Sequence, residues 1–198
     1  MTLNEVNKNN TRERIIKAVL DIIGKKSDVR VTVREISNRA NVNLAAVNYY
    51  FRTKQKLFDE IEKYFFSKVF EANKILDDAS EAPYKRILRW AKEISGLISE
   101  NPGIIWIISS KVMKKEKSGI FLNEFIHKKD QRIINLIRDA TNINDEKILA
   151  IKSMQIITGI INPLILFYGF KSDFNLNLDE SDTMNIYLEK LITSILKA

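Results

Sequence analysis

The chain of 198 residues contains no cysteine, one histidine, three prolines and six glycines. The absence of cysteine excludes a disulfide framework and a thiolate metal site. One histidine and no cluster of His, Asp and Glu at ligand spacing indicate no metal site, and no glycine-rich loop is present to hold a phosphate. We therefore expect no catalytic residue, no cofactor and no enzymatic activity.

The scarcity of proline and glycine also favours long helices. Apolar residues recur with a period near 3.6 along most of the chain, which predicts an all-α protein of about nine helices. We expect a three-helix domain over residues 1–53 and a larger helical domain over residues 54–198. The first ten residues contain no apolar run for a secretory signal, which favours a cytoplasmic protein. The helices are expected near residues 10–24, 33–40, 44–50, 54–79, 83–100, 104–117, 120–141, 145–170 and 179–196.

Residues 32–54 read TVREISNRANVNLAAVNYYFRTK and predict two short amphipathic helices joined by a three-residue turn. Thr32 and Glu35 have the spacing of a capping box, in which each side chain accepts a backbone N–H of the other residue. A helix should therefore begin at about Val33. Its predicted buried stripe consists of Val33, Ile36 and Ala40.

The turn Asn41-Val42-Asn43 follows, because asparagine tolerates a left-handed backbone and is a good N-cap. The second helix should begin at Leu44 and bury Val47 and Phe51. This pattern is typical of a DNA-reading helix-turn-helix, although an ordinary helical hairpin with a polar outer face would share it. The groups left free to approach DNA would be Ala45, Ala46, Asn48, Tyr49 and the Tyr50 hydroxyl.

The positive charge is concentrated in the same part of the chain. The sequence has 32 basic and 25 acidic residues, a net charge of +7. Residues 1–58 hold 12 basic and 5 acidic side chains, so they carry the whole excess, and the other 140 residues are neutral. A module that neutralises phosphates accounts for this segregation.

Residues 11–58 resemble the N-terminal DNA-binding domain of the tetracycline-repressor (TetR) family of bacterial transcription regulators. The NYYF-x-[ST]-K element ending at Lys54 is the most diagnostic part, and LAAVNYYF is similar to a subgroup with AAVNYHF in the recognition helix. The chain departs from the family at Asn41, where glycine is usual. It also departs at Ser27-Asp28, where a glycine and an aromatic residue are usual.

The resemblance implies a homodimeric, ligand-responsive regulator, most simply a repressor, that binds a palindromic operator in double-stranded DNA. Residues Leu44 to Ala46, Asn48 and Tyr49 would face bases and sugars. The phosphates would be held by Thr32, Tyr50 and Lys54, with Arg34 and Arg52 as additions.

The resemblance further implies a dimer interface made by the last two helices and an effector pocket between the middle ones. In both sets the alternative is that the side chains simply fill the core. The pocket, for a small apolar or aromatic effector, would use Trp90, Trp106, Phe121, Phe125 and Tyr168. The interface would use Ile156, Ile160, Leu164, Phe167, Ile186, Leu191 and Ile195.

Residues 153–170 carry no charge, but they are fewer than the roughly 20 residues that span a bilayer. We expect a buried helix with a kink at Pro163, with Gly159 making room for the proline ring, and no membrane partner. A basic cluster of Lys111, Lys114, Lys115 and Lys117 is expected to be a solvated helix end, with an anion or partner site as the alternative. Two alternatives stay open for the whole chain: a regulator controlled by a protein partner, and a ligand carrier or interaction module with a vestigial helix-turn-helix.

Overall fold

The computed structural model describes residues 3–114, 131–170, 176–178 and 180–197, with side chains from residue 10 onward. Within these ranges the chain forms nine α-helices and no strand, which confirms the all-α prediction. A short 3₁₀ helix, Asn73–Asp77, continues α4. The helices are α1 Leu3–Lys26, α2 Val33–Ala40, α3 Leu44–Tyr50, α4 Lys54–Ala72, α5 Pro83–Glu100, α6 Gly103–Met113, α7 Gln131–Thr141, α8 Glu146–Gly169 and α9 Ser181–Lys197.

Polar side chains fix several helix starts. The Asn43 Oδ1 accepts the backbone N–H of Ala46 at 2.7 Å at the start of α3, and Thr53 Oγ1 accepts that of Lys56 at 3.1 Å at the start of α4. Asp145 caps α8 in the same way. These caps are local in sequence, and the starts predicted for these three helices agree with the structure to within one residue.

The fourth helix ends earlier than predicted. It stops being α-helical at Ala72 instead of continuing to residue 79, and the chain tightens into the 3₁₀ helix. Side chains distant in sequence bind this segment: the Trp90 indole donates to Asn73 Oδ1 at 2.8 Å, and Arg86 donates to the Leu76 carbonyl at 3.1 Å. Hydrogen bonds from α5 therefore hold the segment in a form that its own sequence does not specify.

The chain forms two compact units. The first comprises residues 1–67 and 101–127, so it contains α1 to α3, most of α4, and α6. The second comprises residues 68–100 and 128–198, with the end of α4, α5 and α7 to α9. The first compact unit is therefore built from two separate stretches of sequence. The domain boundary predicted before residue 54 remains a prediction.

The core of the first unit is built around α1, which packs against α2 and α6, while α2 packs against α3. The predicted inner face of α1 is buried, as are Ile36 and Ala40 of α2, but Val33 is 36% exposed and does not belong to the stripe. The buried face of α1 consists of Ile15, Val19, Ile22 and Ile23.

The start of α6 approaches α1 so closely that only glycine fits. A Cβ atom added to Gly103 would lie 2.2 Å from the Leu20 carbonyl oxygen. Because this contact is with backbone, a side chain at Gly103 would require one of the two helices to move. The glycine therefore fixes where α6 packs in the first unit.

Lys111 of α6 is not part of a solvated helix end, which corrects that prediction for this residue. Its side chain is 9% exposed and forms an ion pair with Glu62 of α4, which is 1% exposed. Asp59 Oδ1 lies 3.5 Å from the same ammonium. The sequence gives no local signal for this pairing because Glu62 lies on a different helix.

In the second unit, α8 packs against α5, α7 and α9. It runs unbroken through Pro163, and the carbonyl of Gly159, which proline cannot satisfy, accepts the Tyr187 hydroxyl of α9 at 2.7 Å. A Cβ atom on Gly159 would lie 2.7 Å from Leu191 Cδ2. The space at Gly159 therefore serves the packing of α9. Its expected role of making room for the proline ring, with a kink at Pro163, stays a prediction.

By length and composition, α8 is also the one described helix that could cross a membrane. Its inner residues, including Leu149, Ile156 and Ile160, are at most 1% exposed and face its own unit. Such burial is typical of a core helix. The absence of a membrane partner remains a prediction.

The buried Lys111 and Glu62 pair predicts an asymmetric response to mutation. Lys111→Met leaves the Glu62 carboxylate buried and unpaired, so we expect the free energy of unfolding to fall by about 3–5 kcal/mol. The double variant Lys111→Met/Glu62→Leu should recover most of that loss. Urea unfolding followed by circular dichroism measures both. The matched control, Lys114→Met on the exposed end of α6, should change stability by less than about 0.5 kcal/mol; a Lys111→Met variant as stable as this control would contradict the expected role of the pair.

Candidate nucleic-acid interface

The predicted capping box at the start of α2 is formed. The Thr32 hydroxyl accepts the Glu35 N–H at 3.2 Å, and Glu35 Oε2 accepts the Thr32 N–H at 2.9 Å. Lys26 at the end of α1 donates to the other oxygen of Glu35. Together, Lys26 and Thr32 lower the pKa of Glu35 from 4.5 to about 2. This carboxylate therefore connects α1 to the first turn of α2.

The turn between α2 and α3 is held from α1 by Arg14. Asn41 adopts the left-handed conformation with φ 51°, as expected where the TetR family usually has glycine. The Arg14 Nη2 group donates to the Ala40 carbonyl at 2.7 Å and to the Asn41 carbonyl at 2.8 Å, which satisfies carbonyls at the end of α2. Sequence reasoning missed this contact, because nothing near Arg14 indicates its partners.

The loop after α1, where the chain departs from the TetR family, also contains a residue with a left-handed backbone. Ser27 has φ 53°, so serine takes the left-handed region in which glycine is more common. Asp28 then accepts the Arg30 backbone N–H at 2.9 Å and the Arg30 Nε–H at 2.6 Å, and these bonds lower the pKa of Asp28. Asp28 stands where the family usually has an aromatic residue, and its side chain holds a local turn.

The third helix presents an uncharged outer surface. Val47 and Phe51 are buried, at 2% and 4% exposure, as predicted. Ala46 and Tyr50 are half-buried at the margins, and the Tyr50 ring packs edge to face against Tyr49 with centroids 5.2 Å apart. The remaining four side chains share one exposed side, called here the reading face: Leu44, Ala45, Asn48 and Tyr49.

Most basic side chains around this face already have protein partners. Asp21, for example, forms two ion pairs. Its Oδ2 lies 2.6 Å from Arg39 Nε, and its Oδ1 lies 3.1 Å from Lys25 Nζ. Arg14 donates to the α2 carbonyls as described above. The other paired cations of this part of the chain are Arg12 with Glu60, Lys17 with Glu13, Lys26 with Glu35, and Arg30 with Asp28.

Within residues 30–58, four basic side chains have no ion-pair partner among the residues that the structure describes, and all four are exposed. Arg34 lies in the first turn of α2, and the others follow α3. Lys54 Nζ lies over the Phe58 ring, 5.3 Å from its centroid. This free-cation set, Arg34, Arg52, Lys54 and Lys56, lies before and after the reading face in sequence.

The structure thus brings most predicted DNA-binding residues to an exposed surface. Thr32, Arg34, Arg52 and Lys54 are exposed together with the reading face, whereas Ala46 and Tyr50 are half-buried. The Thr32 hydroxyl is occupied by the capping box, since it also donates to Glu35 Oε2 at 3.0 Å. Contact of these residues with DNA remains a prediction.

The described residues that were predicted for the effector site belong to different units. Trp90 and Tyr168 are buried in the second unit, at 2% and 4% exposure, whereas Trp106 is half-buried in the first unit. The indole of Trp90 is satisfied by Asn73, as expected for a core residue. Phe121 and Phe125 lie outside the described residues. The effector site therefore remains a prediction.

The choice of dimer-interface residues needs correction. Five of the seven face the interior of their own unit, because they lie on the side of α8 and α9 that packs against neighbouring helices. Leu191 is half-buried against Gly159, and only Ile186 is well exposed, at 60%. The five side chains that fill the core are Ile156, Ile160, Leu164, Phe167 and Ile195.

Comparison with known proteins agrees with this architecture. Residues 15–61 match the model for bacterial regulatory proteins of the tetR family. The nucleoid occlusion factor SlmA of Yersinia pseudotuberculosis serotype O:1b is 21% identical over 175 residues, which cover 83% of this chain and 88% of SlmA.

Two solved structures share the fold. A TetR-like transcriptional regulator from Rhodococcus sp. RHA1 is 13% identical, with a TM-score of 0.68, covering 95% of this chain and 96% of its own. The TetR family transcriptional regulator PfmR from Thermus thermophilus is 14% identical, with a TM-score of 0.68, covering 93% and 98%. The chain therefore has the fold of TetR-like transcriptional regulators, while the AAVNYHF subgroup remains a prediction.

The lowered pKa of Glu35 predicts an acid-dependent loss of stability. Above pH 4.5 the carboxylate is ionised in both the folded and the unfolded chain, so its stabilising effect is complete. As the pH falls from 4.5 to about 2, the unfolded chain binds the proton first and the effect is lost. The difference in unfolding free energy between the wild type and Glu35→Gln should therefore shrink over this interval in urea titrations.

Lys26→Met removes the largest cause of that pKa shift and serves as the companion variant. It should make the pH dependence shallower while keeping the Thr32 hydrogen bonds. A Glu35→Gln difference that stays constant across the interval would show that neither Lys26 nor the capping box lowers this pKa.

Proposed function

We propose that the chain is a DNA-binding transcriptional regulator, most simply a repressor that binds a palindromic operator as a homodimer in the cytoplasm and responds to a small apolar or aromatic effector. The observation that carries the proposal is the uncharged reading face of α3, accompanied in sequence by the free-cation set. In the described part of the first unit, the other cations with described side chains near this motif are bound to carboxylates or carbonyls.

This arrangement suits duplex DNA for two separate reasons. Unpaired Lys and Arg side chains favour DNA binding, because they neutralise phosphates and release the counterions bound there. An uncharged helix surface with an amide and a phenol can enter the major groove and meet base edges without the cost of desolvating a charge. The predicted contacts divide accordingly, with the reading face toward bases and the free-cation set toward phosphates.

Dimerisation follows from the size of the reading helix. α3 has seven residues, of which four form the reading face. One such helix reads too few base pairs for operator-level specificity, and two copies related by a two-fold axis would read two half-sites. A palindromic operator is the matching DNA symmetry.

The exposed side of α8 is the surface that we propose for pairing. Ile151 and Met154 are 52% and 60% exposed, and Leu166 is 44% exposed. Uncharged Gln155, Thr158 and Asn162 lie between them on the same side. A long apolar face without charge is typical of a self-complementary contact between two copies. This outer face of α8 consists of Ile148, Ile151, Met154, Gln155, Thr158, Asn162 and Leu166.

An effector would release DNA only if it binds one of two conformations more tightly than the other. Trp106 supports such a site, because its buried indole N–H has no hydrogen-bond partner among the described residues. Buried donors are normally satisfied, and a carbonyl or hydroxyl of a bound molecule would satisfy this one. Trp90, Phe121, Phe125 and Tyr168 are the other residues that the resemblance predicts for an effector.

A second candidate is a DNA-binding regulator controlled by a protein partner and not by a small molecule. A full-length chain whose DNA affinity is unchanged by apolar ligands that quench tryptophan fluorescence would favour this candidate.

The free-cation set predicts the salt dependence of DNA binding. Each phosphate contact contributes about 0.9 to the slope of log affinity against log salt, so Lys54→Ala should reduce the slope by about 1.8 per dimer and weaken all sequences alike. Fluorescence anisotropy with duplex DNA over a range of salt concentrations measures this. Lys25→Ala is the control, because Lys25 is paired with Asp21 and should leave the slope unchanged.

Equal slopes for Lys54→Ala and the wild type would contradict the assignment of Lys54 to phosphate. No binding to duplex DNA even at low salt would favour the alternative of a ligand carrier or interaction module with a vestigial helix-turn-helix.

The outer face of α8 predicts the effect of a single charge on assembly. Ile151→Glu would place a carboxylate in an apolar contact, so we expect the dimer dissociation constant to rise by at least about tenfold, with loss of operator binding. Sedimentation equilibrium measures the first effect, and an unchanged helical circular dichroism spectrum shows that the fold persists. Val112→Glu, at another exposed apolar residue, should leave assembly unchanged. A stable dimer of Ile151→Glu would place the interface elsewhere.

A further inference from the structure

The reading face contains no Arg, Lys, Glu or Asp. From this we propose that each half-site presents A·T base pairs to α3, with one adenine read by Asn48 and thymine methyl groups packed against Leu44 and Ala45. The inference rests on the proposed DNA-binding function and specifies the base composition of its target.

The exclusion of guanine follows from the donors available. In the major groove, guanine presents two acceptors, N7 and O6, which are usually read by the paired donors of arginine or by lysine. No side chain of the reading face presents donors from two separate atoms, as arginine does: Tyr49 has one hydroxyl, and the Asn48 amide combines one NH₂ group with a carbonyl acceptor. The free-cation set lies outside α3, where we assign it to phosphates. A G·C pair under this helix would therefore leave its acceptors poorly matched.

Asn48 has the complementary group for adenine. Its amide presents one acceptor and two donors, which match the N6 amino group and the N7 acceptor of adenine in a bidentate arrangement. Asn48 is exposed and has no hydrogen bond to another described residue, so the amide is available. It lies one turn after Leu44 on the same side of α3, near the middle of the reading face.

The rest of the face is suited to thymine. Leu44 is 49% exposed and Ala45 is exposed beside it, so two apolar groups point outward from the first turn of α3. The thymine C5-methyl group is the apolar feature of the major groove, and small apolar side chains contact it closely. Tyr49, 68% exposed and braced by the Tyr50 ring, adds an apolar ring with one hydroxyl.

The test is a selection of bound duplexes from random double-stranded DNA with the full-length chain at a fixed, moderate salt concentration. We expect palindromic sites whose half-sites carry A·T pairs at the positions under α3, including one adenine in nearly all sequences. Replacing that adenine by guanine in both half-sites should weaken binding by at least about fivefold per half-site. Wild-type enrichment of guanine under α3 would overturn the inference and leave the proposed function intact.

Two variants locate the adenine. Asn48→Arg should change the selected base at that one position from adenine to guanine, and Asn48→Ala should lose the preference there and keep the others. Gln55→Arg adds the same charge in the first turn of α4, outside the reading face, and should strengthen binding to all sequences without changing the selected base. A selected sequence that is identical for the wild type and Asn48→Arg would overturn the assignment of Asn48. Absence of any enriched sequence, with no salt-dependent binding, would instead overturn the proposed function itself.

Discussion

The structure of the first unit depends on the support that α1 gives to two helices too short to persist alone. α2 has eight residues and α3 has seven, and isolated helices of this length are unstable in water. α1 supplies an apolar face against which Ile36 and Ala40 pack, and its Arg14 binds the carbonyls where α2 ends. α1 therefore fixes α2 and the turn that leads into α3, although α1 is not part of the helix-turn-helix itself.

This support also determines where positive charge remains available. Fastening α1 to its neighbours uses cations, since Lys26 pairs with Glu35 and Arg39 pairs with Asp21. The net charge of this part of the chain therefore overstates the charge that a polyanion would meet. What remains unpaired among the described side chains is the free-cation set, next to α3 in sequence. Lysine and arginine therefore serve both folding and DNA binding. The cations in ion pairs stabilise the fold, and the unpaired cations are available to phosphates.

Features governed by neighbouring residues were predictable from the sequence. The capping box, the cap at Asn43 and the left-handed Asn41 depend on contacts within three or four residues, and all three are present. Features governed by distant partners were not predictable. The sequence around Arg14 does not indicate its carbonyl partners. The sequence around Lys111 is typical of a surface lysine, and only the packing of α6 places its side chain beside Glu62.

The same distinction explains the errors in the second unit. The apolar periodicity of α8 correctly predicts a helix with a buried side, but it does not say whether that side meets the chain's own helices or a second copy. The structure assigns Ile156 and Ile160 to the core and leaves Ile151 and Met154 outside. The pattern along the sequence is nearly continuous over all four, because α8 has apolar residues on both sides.

The central claim is that α3 and the free-cation set form the DNA surface, while the cations already paired along α1 and α2 do not. Chemical-shift mapping of the isotope-labelled chain with a selected operator duplex tests this most directly. We predict that the largest side-chain and amide changes fall on Asn48, Tyr49 and the free-cation set, with the Arg39 and Lys25 side chains nearly unchanged. Largest changes at Arg39 and Lys25, with α3 unaffected, would contradict it.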